Sequence, residues 1–211
     1  MLRRLTAILI LILLACGLPT QPQAGVPKRG LVKWVDDGDT VVLAGGERVR
    51  YLGINAPEIA HDGEPGEPYG EKARVFNKQL VLGRWVRLEL GEEQRDQYGR
   101  LLAHLFLEDS TFVNGELVRQ GYAHLLHRQA KLRYWDRLLE LQRQALKGKK
   151  GIWSIAPVKP EKSYLGNKRS WVFHRPHCSF GLKTGVRNRV RFKDRFEALY
   201  QGFSPGRHCK P

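Results

Sequence analysis

Leu31-Val32-Lys33-Trp34-Val35-Asp36-Asp37-Gly38-Asp39-Thr40-Val41-Val42-Leu43 decides the architecture. Two short runs rich in β-branched and aromatic residues flank an acidic turn, the pattern of adjacent strands joined by a tight connection. Ala44-Gly45-Gly46-Glu47 is the next turn, and Arg48 to Ile54 reads as a third strand. Beyond a loop rich in Gly, Pro and Glu at 61–68, Tyr69 to Leu82 places Ala73, Phe76 and Leu80 at intervals of three and four, which predicts a helix.

Trp85-Val86-Arg87-Leu88-Glu89-Leu90 alternates as a strand, and Leu101 to Leu107 is another. Phe112 to Gly121 and Lys131 to Leu146 predict helices; in the second, Leu132, Trp135, Leu138, Leu139 and Leu146 form the apolar stripe. Five short strands with helices after the third and fifth give an α+β, mostly β, fold class. The expectation is a five-stranded barrel of the oligonucleotide-binding (OB) type packed by about three helices.

The ends differ from this middle. Arg3 and Arg4 precede an apolar run, Leu5 to Ala15, too short to span a bilayer and suited to a secretory signal. It ends Leu13-Leu14-Ala15-Cys16-Gly17, which resembles the lipobox of bacterial lipoproteins. That resemblance implies cleavage after residue 15, lipids on Cys16, and export to an anchored position in the cell envelope, on the outer membrane where there is one. An ordinary signal peptide with an incidental cysteine is the alternative. Residues 16–28 read as a flexible tether and 29–157 as the barrel domain.

The formal charge is +15. Residues 158–211 hold thirteen Lys and Arg against three acidic residues, so the basicity is concentrated in the tail. Such a charge suits nucleic acid or an anionic membrane surface and does not separate them.

Three fragments carry the chemistry: Asp37-Gly38-Asp39-Thr40, Arg50 through Pro57-Glu58, and Asp96-Gln97-Tyr98-Gly99-Arg100. Carboxylates in a turn between strands can present oxygens to a hard cation. A carboxylate at a strand end is placed to act as a base, and guanidinium groups suit phosphate. Taken singly, each has a plainer reading: a hydrogen-bonded turn, a solvated loop glutamate, a rim arginine, a turn ion pair.

Taken together, their order and spacing resemble the staphylococcal (micrococcal) nuclease, or thermonuclease, family over roughly residues 30–154. Val113-Asn114-Gly115-Glu116-Leu117-Val118-Arg119-Gln120-Gly121 and Gly151-Ile152-Trp153-Ser154 extend the match. The resemblance implies that Asp39, Asn55 and the carbonyl of Ala56 hold Ca2+, with Asp37 behind them. It implies Glu58 as the general base, Arg50 and Arg100 as the phosphate-binding pair, and Tyr98 as a nucleotide contact. Asn55 stands where the family has a carboxylate, so weaker calcium binding is expected. His127 and Gln129 fall at the family's aromatic pair, and Gln97 replaces a lysine. The implied reaction displaces the 5′-oxygen of DNA and RNA phosphodiesters and leaves 3′-phosphate ends, with low sequence preference.

Residues 158–211 form a small basic module. His174-Arg175-Pro176-His177-Cys178 and Gly206-Arg207-His208-Cys209 resemble a zinc module of a bacterial DNA alkylation-repair protein, with Gly206 at one ligand position. Cys178 and Cys209 in an exported chain are first expected as a disulfide, with zinc the alternative and His208 or His177 as substitute ligand. Arg187, Arg189, Arg191, Lys193 and Arg195, with Phe192 and Phe196, suit a phosphate backbone. The partners expected are DNA, RNA and a membrane surface; no protein partner is implied, and a monomer is expected. The rival function is a non-catalytic nucleic-acid-binding envelope lipoprotein with a decayed metal site.

Overall fold

A computed structural model describes residues 26–61, 63–127, 132–156 and 159–211. Cys16, Gln129 and most of the expected tether lie outside the described residues. Strands β1 (Arg29–Val35), β2 (Thr40–Leu43), β3 (Arg48–Tyr51), β5 (Trp85–Arg95) and β6 (Leu101–Leu107) close a barrel in the order β1-β2-β3-β6-β5. Pairing is antiparallel except between β3 and β6, where Val49 faces Leu101 and Arg50 faces Leu102. Closure removes the edges of this sheet. The inward residues Val32, Val41, Val49, Tyr51, Leu101 and Leu105 are buried and fill it.

The expected third strand breaks in two. β3 stops at Tyr51, and Ile54–Asn55 forms a separate short strand, β4, paired with β7 (His124–Leu125). The break follows from Gly53, whose φ of +76° turns the chain. Arg50 fixes it by donating from Nη1 to the carbonyls of Tyr51 and Ile54. β5 runs five residues past the expected end at Leu90, up to the 96–100 turn.

Helix α1 (Gly70–Val81) lies beneath the acidic turn, and α2 (Val113–Arg119) packs against α3 (Trp135–Lys147). These three are each a little shorter than the periodicity predicted. A 3-10 turn, Gly151–Ser154, follows.

The C-terminal residues build β8 (Tyr164–Asn167), β9 (Val172–His174), α4 (Ser179–Leu182), β10 (Arg189–Phe192), α5 (Arg195–Tyr200) and β11 (Ser204–Pro205). Their strands form a sheet ordered β10-β8-β9-β11 over a second core of Tyr164, Phe173, Phe192, Leu199 and Phe203. Leu146 of α3 belongs to that core, whereas Leu138 belongs to the barrel's. The seam is polar as well as apolar. Buried Gln142 accepts from Leu125 N and donates to Leu199 O, and Ser204 Oγ donates to Leu125 O.

Candidate active site

The site forms where the acidic turn, β3, β4 and the loop after β4 meet. Gly38 makes that approach possible: a Cβ there would stand 2.5 Å from Ala56 Cβ and 2.7 Å from Ala73 Cβ. Asn77 of α1, fully buried, accepts from Tyr51 Oη at 2.9 Å and donates to Asp37 O at 3.0 Å. Asp37 in turn accepts the Asp39 amide at 2.8 Å. The carboxylates are therefore placed by a helix forty residues away in sequence, which their own spacing does not reveal.

Asp39 is buried. Its Oδ2 accepts the Ala56 amide at 2.6 Å and lies 2.9 Å from Arg50 Nη2. The same Nη2 donates to Asn55 Oδ1 at 2.9 Å. One positively charged nitrogen thus stands between two of the oxygens expected to ligate metal. Asn55 Nδ2 donates to Ala56 O at 3.1 Å, the third expected ligand atom. Burial pushes the Asp39 carboxyl up to about 7; Arg50 opposes this, while Asp37 and Glu58 add to it. This donor set is hard oxygen, anionic in part and in demand of a cation, so the residues fit a calcium ion.

Glu58 is exposed at the rim. Its backbone is fixed from two sides. Glu58 N donates to Glu67 Oε2 at 3.3 Å, and Glu67 N donates to Glu58 O at 2.8 Å. Gly70 sits so close that a Cβ would meet Glu58 O at 2.3 Å. The side chain is thus carried on a rigid loop and kept in water, which suits a base.

Arg100 immediately precedes β6, the neighbour of β3, in which Val49 faces Leu101 and Arg50 faces Leu102. Asp96 grips one edge of its guanidinium, from Nε at 2.8 Å and Nη2 at 2.7 Å. Burial raises the Asp96 pKa, but hydrogen bonds from the Arg100 side chain and from the Arg100 and Tyr98 amides outweigh it and hold the carboxyl below its usual range. Tyr98 is 73% exposed and its ring lies 5.4 Å from the Arg100 guanidinium carbon. His127 does not face this site; it stacks on Trp171 of the C-terminal module at 5.4 Å.

His124, opposite Asn55 across the β4–β7 pair, had no signal in the sequence. Burial lowers its pKa to about 4, with Arg195 and Arg50 acting in the same direction.

A second cluster lies in the module. His174 Nδ1 is 3.6 Å from Cys178 Sγ and 3.5 Å from Cys209 Sγ, and the three donor atoms all lie within 4.8 Å of one another. Both thiols are free in this structure. One imidazole and two thiols are a soft-metal donor set with one position left open. His208 does not supply it, being stacked on Phe180 at 4.2 Å. Gly206 leaves no room for a larger residue, since a Cβ would stand 2.5 Å from His174 Nδ1.

The model of the staphylococcal nuclease homologue family matches residues 48–155, about half of the chain. The chain is 35% identical over 123 residues to the thermonuclease of Staphylococcus hyicus, covering 57% of this chain and 72% of that protein. It is 36% identical over 126 residues to the thermonuclease of Staphylococcus intermedius, covering 58% and 74%. A further match, 31% identical, is to endonuclease YhcR of Bacillus subtilis; it spans 88% of this chain, hence more than the barrel, and 17% of that protein. With a closed five-stranded barrel and this acidic, arginine-flanked mouth, the chain belongs to the staphylococcal nuclease family.

Proposed function

We propose that this chain is a calcium-dependent nuclease that hydrolyses phosphodiester bonds of DNA and RNA with low sequence preference. The carrying observation is the Arg50 guanidinium held 2.9 Å from both Asp39 Oδ2 and Asn55 Oδ1. It supports reading these groups as one constellation for a phosphate and a metal ion. Asp39, Asn55 and the Ala56 carbonyl would hold the ion, which when bound supplies charge to the phosphodiester oxygen and eases deprotonation of water.

The chain's own residues supply the rest. Arg50 leaves Asp39 and Asn55 for the phosphate, and Arg100, steadied by Asp96, donates to the same group. Two forked guanidinium groups offset the charge that grows on the equatorial oxygens. Glu58 takes the proton of the attacking water as the new P–O bond forms and the P–O5′ bond breaks; the departing 5′-oxygen takes a proton from solvent, and Glu58 gives its own back to solvent, to which it is open. Tyr98, beside Arg100, offers an exposed ring for the adjoining nucleotide.

The leader supports export with a lipid anchor on Cys16, so that the enzyme meets nucleic acid outside the cytoplasm as a monomer. Calcium is plentiful there, which suits a site with one carboxylate fewer. The test is cleavage of single-stranded DNA in calcium by the purified chain and by Glu58→Gln. Loss of at least about a hundredfold in rate with DNA binding retained is expected. Undiminished cleavage by the variant refutes the assignment of Glu58. Binding without turnover by the wild type supports the non-catalytic alternative.

A further inference from the structure

The acids of the C-terminal module are engaged within it. Glu161 is ion-paired to Arg175 at 3.0 Å, Asp194 Oδ1 accepts the Glu197 amide at 2.7 Å as the cap of α5, and Glu197 Oε2 accepts the Lys193 amide at 2.8 Å. Thirteen Lys and Arg stand against these three in residues 158–211. Most of the module's positive charge therefore has no carboxylate to meet. Lys168, Arg169, Arg187, Arg189 and Arg191 are all exposed, and none forms an ion pair with an acid among the described residues.

Backbone pairing gathers these five cations. β10 is the edge of its sheet and runs antiparallel to β8, with Arg189 facing Asn167 and Arg191 facing Leu165. Just past β8, Lys168 N donates to Asn188 O at 2.8 Å, which sets Lys168 beside Arg187 and Arg189. Arg169 follows in the turn that leads to β9. Arg189 is braced by donating from Nη2 to Leu182 O at 3.1 Å and to Thr184 O at 2.7 Å. Arg189 and Arg191 share one face of β10, about 6.6 Å apart along the strand. That spacing is of the order that separates successive phosphates in an extended nucleic-acid strand. The basic run of the sequence therefore divides: Phe192 is buried in the module's core and Arg195 is half-buried, while the cations of β10 are joined by two from the β8–β9 turn.

Lys168 also lines a groove of about 360 Å³, together with Trp171, Val190 and Arg143 of α3. Trp171 stacks on His127 at 5.4 Å, just after β7, and β7 pairs with β4, the strand of Asn55. A lipid surface is met by cations alone and needs no groove, whereas a single strand uses a basic track and an aromatic wall together. We propose that Lys168, Arg169, Arg187, Arg189 and Arg191 form an anchoring track for single-stranded nucleic acid. It holds, by its phosphates, the part of the substrate strand that extends beyond the active site. The identity of the strand rests on the nuclease reading. The track adds affinity and a preference for long strands, and takes no part in breaking the bond.

The experiment measures binding of a labelled single-stranded oligonucleotide of about thirty nucleotides in EDTA, where turnover is absent, by fluorescence anisotropy across a salt series. The variant Lys168→Gln/Arg187→Gln/Arg191→Gln leaves the braced Arg189 in place. It is expected to bind at least about tenfold more weakly at about 0.1 M salt and to lower the log–log salt slope by about two, since three single-strand phosphate contacts are lost at about 0.7 each. Lys168→Gln alone serves if the triple variant fails to fold, with a slope lower by about 0.7. Arg187→Lys/Arg191→Lys keeps the charge and should keep the slope. The control Arg29→Gln/Lys33→Gln/Lys78→Gln removes the same charge from the barrel domain and should bind like wild type. With calcium, the first variant should show a raised KM for the long strand at unchanged kcat, and cleave a dinucleotide as wild type does. Unchanged affinity and slope in the folded variants overturn the track. So does an equal fall in the control, which would leave net charge as the whole effect. Loss of binding to vesicles of anionic phospholipid, with oligonucleotide binding intact, would assign the same cations to a membrane and also overturn it. The nuclease reading fails separately, if wild type shows no cleavage at any calcium concentration.

Discussion

Replacing Asn55 with aspartate tests the metal site most directly. In the metal-free chain the new carboxylate would lie 2.9 Å from Arg50 Nη2, the nitrogen that stands between it and Asp39 and is 2.9 Å from Asp39 as well. Attraction to Arg50, about 4 kcal/mol at 4 Å in an effective dielectric of 20, is offset by the more distant repulsion from Asp39 and by desolvation of the added charge. Stability without metal should change by less than about 1 kcal/mol. With calcium the balance is different, because the ion gains a second full negative charge. The substitution also removes the Nδ2 that now donates to Ala56 O, freeing that carbonyl as a ligand. Calcium affinity is set over orders of magnitude by the number of ligand charges. Asn55→Asp should therefore tighten calcium binding about ten- to a hundredfold, or about 1.4–2.8 kcal/mol. Calorimetric titration of the metal, run beside cleavage of single-stranded DNA as a function of calcium, measures it. Half-maximal cleavage should move to lower calcium with the same product ends. Unchanged calcium affinity in a folded Asn55→Asp protein would refute Asn55 as a ligand.

Three further outcomes follow from other parts of the molecule. Gln142→Leu leaves Leu125 N–H and Leu199 C=O buried and unpaired, and should cost about 3 kcal/mol in guanidinium unfolding; a loss under about 0.5 kcal/mol would refute the seam as a stabilising element. The His104 share of stability should fall as pH drops from 6.5 toward 4, by about 3 kcal/mol, because burial lowers its pKa to about 4 and the unfolded chain takes up a proton the folded one cannot. His104→Leu should flatten that slope in thermal scans, and an unaltered slope would count against it. Asp39 acts in the opposite sense without metal: its pKa, raised by burial to about 7, costs stability as pH rises from 3.8. The reduced chain should take up one cadmium ion with a thiolate absorption band that Cys178→Ser or Cys209→Ser abolishes. A chain isolated with no titratable thiols would instead establish the disulfide.

Much of the barrel was legible in the chain because alternation and turn chemistry are local. Val32 to Leu43 reads as two strands whatever surrounds it, since period-two burial needs only the pleat. Asp39, Arg50, Glu58 and Arg100 could be singled out by residue type at strand ends and by resemblance. The end of β3 was not legible. It depends on Arg50 reaching from the carbonyl of Tyr51, at its own strand's end, to that of Ile54 across the turn, beside the ion pair with Asp39.

The sequence alone determined which groups are present: the hard oxygens, the candidate base, the two guanidinium groups, and a basic tail with three histidines and two cysteines at spacings that suit a metal or a disulfide. Tertiary structure alone decided their relations. It set Arg50 between Asp39 and Asn55, hung the acidic turn from Asn77, and gathered His174, Cys178 and Cys209. The physical reason is range. Propensity and periodicity act over a few residues, whereas charge pairing, desolvation and close packing are fixed by neighbours that only the closed fold brings together.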